Sequence, residues 1–308
     1  MNTGIRRILN MYDMIVIGAG PAGIASAIYG KSRGKDVLVL EKKKVGGLIG
    51  SVSTVTHYPG IIEGETGATF AERLKKQAEG AGIPIQYEEV IETDLNHDVK
   101  KIRTEQNEYE TETVVFANGG SGRMLNIPGE SLPGMRLNAP KDGPDYAGKH
   151  VYVIGGADGA VKEALYLADL AKDVTIVCVE DELACIPEFK VRAENTPNIK
   201  IMPHSSLKEV HGTDHIEELV FIDNKNGKIT EIEDPQAGVF VYAGIVPNSA
   251  ICSDLEKDEG GYLITDENME TNIPGVFAAG DIRSKKIRQV ATAASDGAIS
   301  GINAAARA

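Results

Sequence analysis

One feature limits what this sequence can fold into. The same strand, glycine turn, helix and strand occur twice, 137 residues apart. The first copy begins with Met14-Ile15-Val16-Ile17, a continuous apolar run of the kind a parallel strand buried on both faces needs. Gly18-Ala19-Gly20-Pro21-Ala22-Gly23 follows. In this pattern Gly18 permits a tight turn, Gly20 lets backbone approach a pyrophosphate, and Gly23 lets the helix pack closely on the strand. Pro21 opens the helix where no N–H is required, and the helix N-terminus and Ala22 face the phosphates. Gly34 stops the helix, Asp36-Val37-Leu38-Val39-Leu40 forms the next strand, and Glu41 ends it, where a carboxylate can accept ribose hydroxyls. A bare G-x-G-x-x-G is weak, but here every part falls at the right spacing.

The second copy keeps the outline and changes the chemistry. Gly155-Gly156-Ala157-Asp158-Gly159-Ala160 matches Gly18 to Gly23, and Val174-Thr175-Ile176-Val177 matches the second strand. Ala157 replaces the middle glycine, where its methyl would crowd a pyrophosphate. Asp158 reads as a helix cap whose charge repels phosphate. Cys178 holds the position of Glu41, and Glu180 comes two residues late. Val161, Ala164, Leu165, Leu167 and Ala168 recur at helical spacing and read as core.

A chain of 308 residues exceeds one ordinary core and suits two domains. Its net charge of -13 argues against nucleic acid and anionic membrane surfaces as partners, while a basic redox partner stays open. Three cysteines, at 178, 185 and 252, are too few for a disulfide framework and suit a reducing, cytoplasmic setting. No apolar run reaches the roughly 20 residues that span a bilayer. Met1 to Met11 holds two arginines and no apolar stretch. It reads as a short arm or as sequence ahead of an alternative start at Met11, not as a secretory signal. Of the six histidines only His211 and His215 are four apart, and Gly212 with the charged surroundings makes that segment read as a loop and not as a metal pair.

Further segments carry a resemblance. They are Tyr58-Pro59-Gly60, Ala117-Asn118-Gly119, Glu163-Ala164-Leu165-Tyr166-Leu167, Pro247-Asn248, Gly280-Asp281 and Arg288-Gln289. With Gly18 to Gly23 they make the chain, from about Tyr12 onward, similar to the low-molecular-weight thioredoxin reductases. The resemblance implies an α/β fold of two Rossmann-like, three-layer ββα-type dinucleotide-binding domains. An FAD domain would take residues 1–119 and 246–308, with an inserted NAD(P)-binding-like domain at 120–245. Hinges would lie near Asn118 to Gly120 and Ala243 to Val246, and the assembly would be a homodimer. The implied FAD site comprises Gly18, Gly20, Pro21, Ala22, Gly23, Glu41, Lys42, Gly46, Gly47, Leu48, His57, Ala117, Asn118, Gly119, Gly280, Asp281, Arg288, Gln289 and Val290. Asp281 would bind the ribitol chain, and an Ala/Gly-rich helix from Val290 to Ala305 would pack against the cofactor.

The departures from that family matter as much. Where it carries a redox-active Cys-x-x-Cys before Asp-Gly, this chain has Asn138-Ala139-Pro140-Lys141 before Asp142-Gly143. None of these side chains forms a thiolate or a mixed disulfide. Cys185 follows Glu180-Asp181-Glu182, an acidic turn expected to raise its thiol pKa. The family's arginines for the 2′-phosphate of NADPH are replaced by Cys178-Val179-Glu180, which disfavours NADPH and leaves NADH or no nicotinamide nucleotide. Leu48 stands where the family has glutamine and His57 where it has asparagine; His57 reads as a structural contact to FAD before an acid or base. Lys285-Lys286 with Arg288 reads as a basic patch suited to an acidic carrier such as ferredoxin.

Three readings of function follow. The leading one is an FAD-dependent oxidoreductase exchanging electrons with an external partner or small molecule without a redox disulfide. The others are an NADH-dependent flavin oxidoreductase acting on a quinone, oxygen or another acceptor, and a non-enzymatic FAD-binding protein or partner subunit.

Overall fold

The computed structural model describes the chain from residue 8 onward, and its side chains from residue 11. The reading of Met1 to Met11 as an arm therefore falls largely outside the described residues. The chain forms two compact units. One comprises the described residues up to 50 together with 54–121 and 246–308; the other comprises 122–245 with 51–53.

The first unit begins with β1 (Ile8–Ile17), α1 (Pro21–Lys31), β2 (Val37–Leu40), α2 (Gly67–Gly80), β3 (Ile85–Gln86), β4 (Val90–Asp94), β5 (Lys100–Thr104) and β6 (Glu108–Phe116). β7 (Gly120–Gly122) leaves it. The second unit holds β8 (Met135–Arg136), α3 (Ala139–Asp142), β9 (His150–Ile154), α4 (Asp158–Ala168), β10 (Asp173–Val177) and α5 (Pro187–Asn195). It continues with β11 (Ile199–Met202), β12 (Ser205–His211), β13 (Glu218–Asp223), β14 (Ile229–Glu233) and β15 (Gly238–Val241). The chain returns through β16 (Ile245–Pro247), which pairs with β7, to β17 (Val276–Ala278) and α6 (Val290–Arg307).

In the first unit, β3-β2-β1-β6 form a parallel sheet, and β6 divides its free edge. Its first half pairs antiparallel with β5, and its last residues, Val114 to Phe116, pair parallel with β17. The strands are apolar on both faces because both are covered. Met14, Val16, Val37, Val39 and Phe277 face a cluster with Ile24, Ala27, Ala78 and Ala304. Ile15, Ile17, Leu38, Leu40 and Phe116 face Val90, Ile102, Leu255 and Leu263. Helices thus cover one face, while residues of β4 and β5 and of the segment around 252–263 cover the other. The small residues of α6 have a specific partner. A Cβ on Gly297 would lie 2.2 Å from Ala22 O, and one on Gly301 would lie 2.3 Å from Ser26 O. They let α6 approach α1, rather than serving only the cofactor expected from sequence.

The second unit repeats the plan with a parallel sheet β11-β10-β9-β15-β8 and a three-stranded sheet β12-β13-β14. Val151, Val153, Val174 and Ile176 pack with Val161, Ala164, Leu167, Phe189 and Ala193. Tyr152, Ile154 and Val239 pack with Leu207, Leu219 and Phe221. The internal repeat is retained residue for residue: α1 and α4 each have 11 residues and start at positions related by the same offset as the glycines. Among the described residues, no helix is long and apolar enough to cross a membrane.

Candidate functional site

Gly18 has φ +104°, and a Cβ there would meet Ala117 O at 2.6 Å. Only glycine lets this turn pass under the end of β6. At Gly23 a Cβ would fall 1.9 Å from Gly18 O, so the start of α1 presses directly on the turn. Gly20 differs. Its backbone (φ −75°, ψ −178°) suits any residue, and the nearest atom to a Cβ would be Gly46 O at 3.9 Å. This glycine is not required by the fold; it keeps a space open in front of the N–H groups of α1.

The other predicted segments gather around that space. Gly46 N donates to Ala19 O at 2.8 Å, and a Cβ on Gly47 would lie 3.6 Å from Gly20 Cα. Glu41 is buried at the end of β2; its carboxylate accepts from Ala19 N at 2.9 Å and Lys43 N at 2.8 Å. Gly280 (φ +78°) lies against Ala22, whose Cβ would be 2.8 Å from its own. Asn118 and Asn248 exchange amide-to-carbonyl hydrogen bonds of 2.7 Å in both directions, which fixes the turn after β6. Gly119 has φ +57° and its carbonyl accepts from Asn248 N.

Asp281 is the chemically pointed residue of this unit. Burial pushes its carboxyl pKa up, against the pull of Lys285. Its Oδ1 is buried with no hydrogen bond, its nearest charge being Lys285 Nζ at 3.5 Å, and Asn118 Oδ1 and Arg288 Nε are also buried without a hydrogen bond. Buried polar atoms are normally satisfied, so these ask for a ligand. Sequence reading missed the residue that holds the turn. Asp296 of α6 accepts from Gly280 N at 3.1 Å, Arg283 Nη1 at 2.9 Å and Lys285 Nζ at 3.0 Å. A lone buried acid in an Ala/Gly-rich helix was its only signal.

The remaining expected residues have the following surroundings. Lys42 makes an exposed ion pair with Glu89 at 3.6 Å. Leu48 is half exposed. His57 takes φ +58°, uncommon for a non-glycine, with Nδ1 2.9 Å from Thr56 Oγ1. The basic patch is largely consumed. Lys285 pairs with Asp281 and Asp296, and the Arg288 guanidinium lies 3.8 Å over the Tyr262 ring, leaving Lys286 outward. Gln289 N-caps α6 and its N–H donates to Thr292 Oγ1 at 3.1 Å; Val290 starts the helix.

In the second unit Gly155 repeats Gly18, with φ +136° and a Cβ that would meet Tyr242 O at 2.5 Å. Ala157 has the backbone of Gly20 (φ −85°, ψ 175°), so its methyl enters the space that Gly20 leaves open. Asp158 is not the cap expected from sequence. Ala157 is the N-cap, and Asp158 Oδ1 instead accepts from Ile186 N at 2.8 Å, while Ala157 bridges to Ala184. Ala160 is buried where Gly23 touches its turn.

The chain matches the family described as pyridine nucleotide-disulphide oxidoreductase over residues 12–297. It is 39% identical over 303 residues to the thioredoxin reductase of Peptoclostridium acidaminophilum, covering 96% of each. Among solved structures it resembles Lactococcus lactis thioredoxin reductase, with TM-score 0.92, 36% identity and coverage of 96% of this chain and 98% of that one. A ferredoxin-flavin thioredoxin reductase from Clostridium acetobutylicum is also similar, with TM-score 0.53, 29% identity and coverage of 96% and 98%. This chain belongs to the pyridine nucleotide-disulphide oxidoreductase family. It is a thioredoxin-reductase-like flavoprotein oxidoreductase with two Rossmann-like domains.

For a member of that family its thiols are quiet. All three cysteines are free. Burial pushes the Cys252 thiol up to about 12 and raises Cys178, which Glu180 raises further. Cys185 is also raised, first by burial and then by Asp158, not by the acidic turn that precedes it. At the segment before Asp142-Gly143, Asn138 caps α3 by accepting from Lys141 N at 3.0 Å. Ala139 is buried, and its N–H donates to Tyr242 Oη at 3.0 Å. Among the described residues no cluster of His, Cys, Asp and Glu suits a metal ion.

Proposed function

We propose that this chain is an FAD-dependent oxidoreductase whose flavin exchanges electrons with an external partner without an internal redox disulfide. One observation carries the reading: the first glycine turn is complete and open at Gly20, while the segment before Asp142-Gly143 has no cysteine. The residues present fit FAD. The open space at Gly20 suits the pyrophosphate, Glu41 the adenosine ribose, and the buried Asp281 Oδ1, which has no hydrogen bond and only Lys285 Nζ at 3.5 Å, the ribitol hydroxyls.

Bound FAD supplies the electron-transfer chemistry. The chain positions and excludes. Gly46-Gly47 line the approach to the turn, and the N-terminus of α6 beyond Arg288-Gln289 offers partial positive charge to an anionic ring edge. The three raised thiol pKa values keep Cys178, Cys185 and Cys252 protonated and poor in exchange at neutral pH. Reduction of thioredoxin through a paired thiol has no pair to use.

A protein electron carrier of ferredoxin type is the favoured partner, supported by the similarity to the ferredoxin-flavin enzyme. With Lys285 and Arg288 drawn inward, the run at 285–288 does not form its docking patch. The expected assembly is a homodimer, which sedimentation reads directly. The test of function is anaerobic addition of reduced ferredoxin, NADH or NADPH to the yellow protein. Bleaching of the flavin band by ferredoxin supports the proposal; bleaching by dithionite alone contradicts it.

A further inference from the structure

In the first unit Glu41 lies directly after β2, and its Oε2 sits over the turn on Ala19 N. Cys178, its counterpart by position, is buried in the helix-side core and cannot do this. Two residues later the chain brings a second carboxylate, that of the exposed Glu180, close to the corresponding turn residue, without the backbone hydrogen bond that Glu41 makes. A Cβ on Gly156, the counterpart of Ala19, would meet Glu180 Oε2 at 3.3 Å and Cys178 Cβ at 2.7 Å. The path is held by backbone: Ser205 N donates to Cys178 O at 2.8 Å and His204 N to Glu180 O at 3.1 Å.

The neighbouring charges are already spent. Asp181 pairs with Lys225 at 2.9 Å and with His204 at 3.0 Å, and Glu182 pairs with Lys190. Glu180 is exposed and has no ion-pair partner among the described residues. The cations that reach this acidic turn, Lys225 and Lys190, are thus each paired with a carboxylate other than Glu180.

We propose that Glu180 takes over the ribose-binding task of the missing strand-end acid. The second unit then binds a nucleotide whose adenosine 2′- and 3′-hydroxyls are both free, and rejects one that carries a 2′-phosphate. A carboxylate accepts hydrogen bonds from a vicinal diol, whereas a 2′-phosphate brings like charge against it. The Ala157 methyl and the Asp158 carboxylate weaken the phosphate end, so discrimination rests on the ribose. The inference rests on the family assignment and not on the electron route proposed above.

The test is calorimetric binding to the FAD-loaded protein, using oxidised nucleotides so that no turnover contributes. NAD+ and ADP-ribose are expected to bind at least about tenfold tighter than NADP+, the factor that one charge-assisted hydrogen bond supplies. Glu180→Ala removes that preference, Glu180→Arg inverts it, and Glu182→Ala leaves it unchanged. Flavin absorbance and circular dichroism report that each variant folds. Equal binding of NAD+ and NADP+, binding of neither at millimolar concentration, or an unchanged preference in Glu180→Ala overturns the proposal. Flavin reduction by ferredoxin is read separately and survives any of these results.

Discussion

The two dinucleotide units share a backbone and differ at the few atoms a ligand would touch. Gly18 and Gly155 both take positive φ and both pass within 2.6 Å, at an added Cβ, of the carbonyl that follows the third strand. That glycine is demanded by the fold, and both units keep it. Gly20 and Ala157 share an extended backbone that tolerates any side chain, and here only the first unit keeps glycine. The difference teaches which part of the fingerprint is architecture and which is binding. Architecture persists in the second unit, while the Ala157 methyl narrows the pyrophosphate approach.

The comparison breaks most violently at the third glycine. Gly23→Ala would place a methyl 1.9 Å from Gly18 O, so it should cost at least about 3 kcal/mol and empty the flavin site. Ala160→Gly, at the matching position, should cost only about 1 kcal/mol through helix propensity. Chemical denaturation of the two variants checks the contrast; equal losses would contradict it.

The middle position separates binding from folding. Gly20→Ala should leave apoprotein stability within about 0.5 kcal/mol and weaken FAD by roughly tenfold or more, about 1.4 kcal/mol. Ala157→Gly should leave stability alike and strengthen nucleotide binding at the second unit. FAD retention on gel filtration and calorimetric titration read these effects.

A smaller effect concerns charge. Burial raises the Asp281 carboxyl above its unfolded value, so the folded apoprotein binds a proton more readily than the unfolded chain. Stability attributable to this group therefore falls as pH rises from the ordinary carboxylate range through the raised folded value. Asp281→Asn should lower FAD occupancy yet make the apoprotein more stable than the parent at neutral pH. That advantage should shrink as pH drops through the carboxylate range. Thermal melts of flavin-free protein at several pH values give the sign; an Asn variant less stable at neutral pH would reverse it.

Much of the fold was legible because it is written in local periodicity and turns. Pro21 and Asp158 open helices of equal length, and Met14–Ile17 and Val174–Val177 are strands as their apolar runs predict. What sequence could not supply is the partner of each side chain. Asp158 has the chemistry of a cap, but Ile186 N, 28 residues away, offers it a better donor. Lys285 looks like surface until Asp296, on a later helix, neutralises it. Glu180 reads as two residues late for a ribose, yet with its backbone bonded to His204 its carboxylate lies near Gly156. Each of these turns on a long-range contact that residue spacing does not encode.

The central claim is that the electron path contains flavin and no disulfide. Its most direct test is an anaerobic dithionite titration of the purified flavoprotein, counting reducing equivalents per FAD. Uptake of two electrons per flavin, unchanged when Cys178, Cys185 and Cys252 are all replaced by serine, is the predicted result. Uptake of four electrons, falling to two in that variant, would reveal a redox-active disulfide and contradict the account.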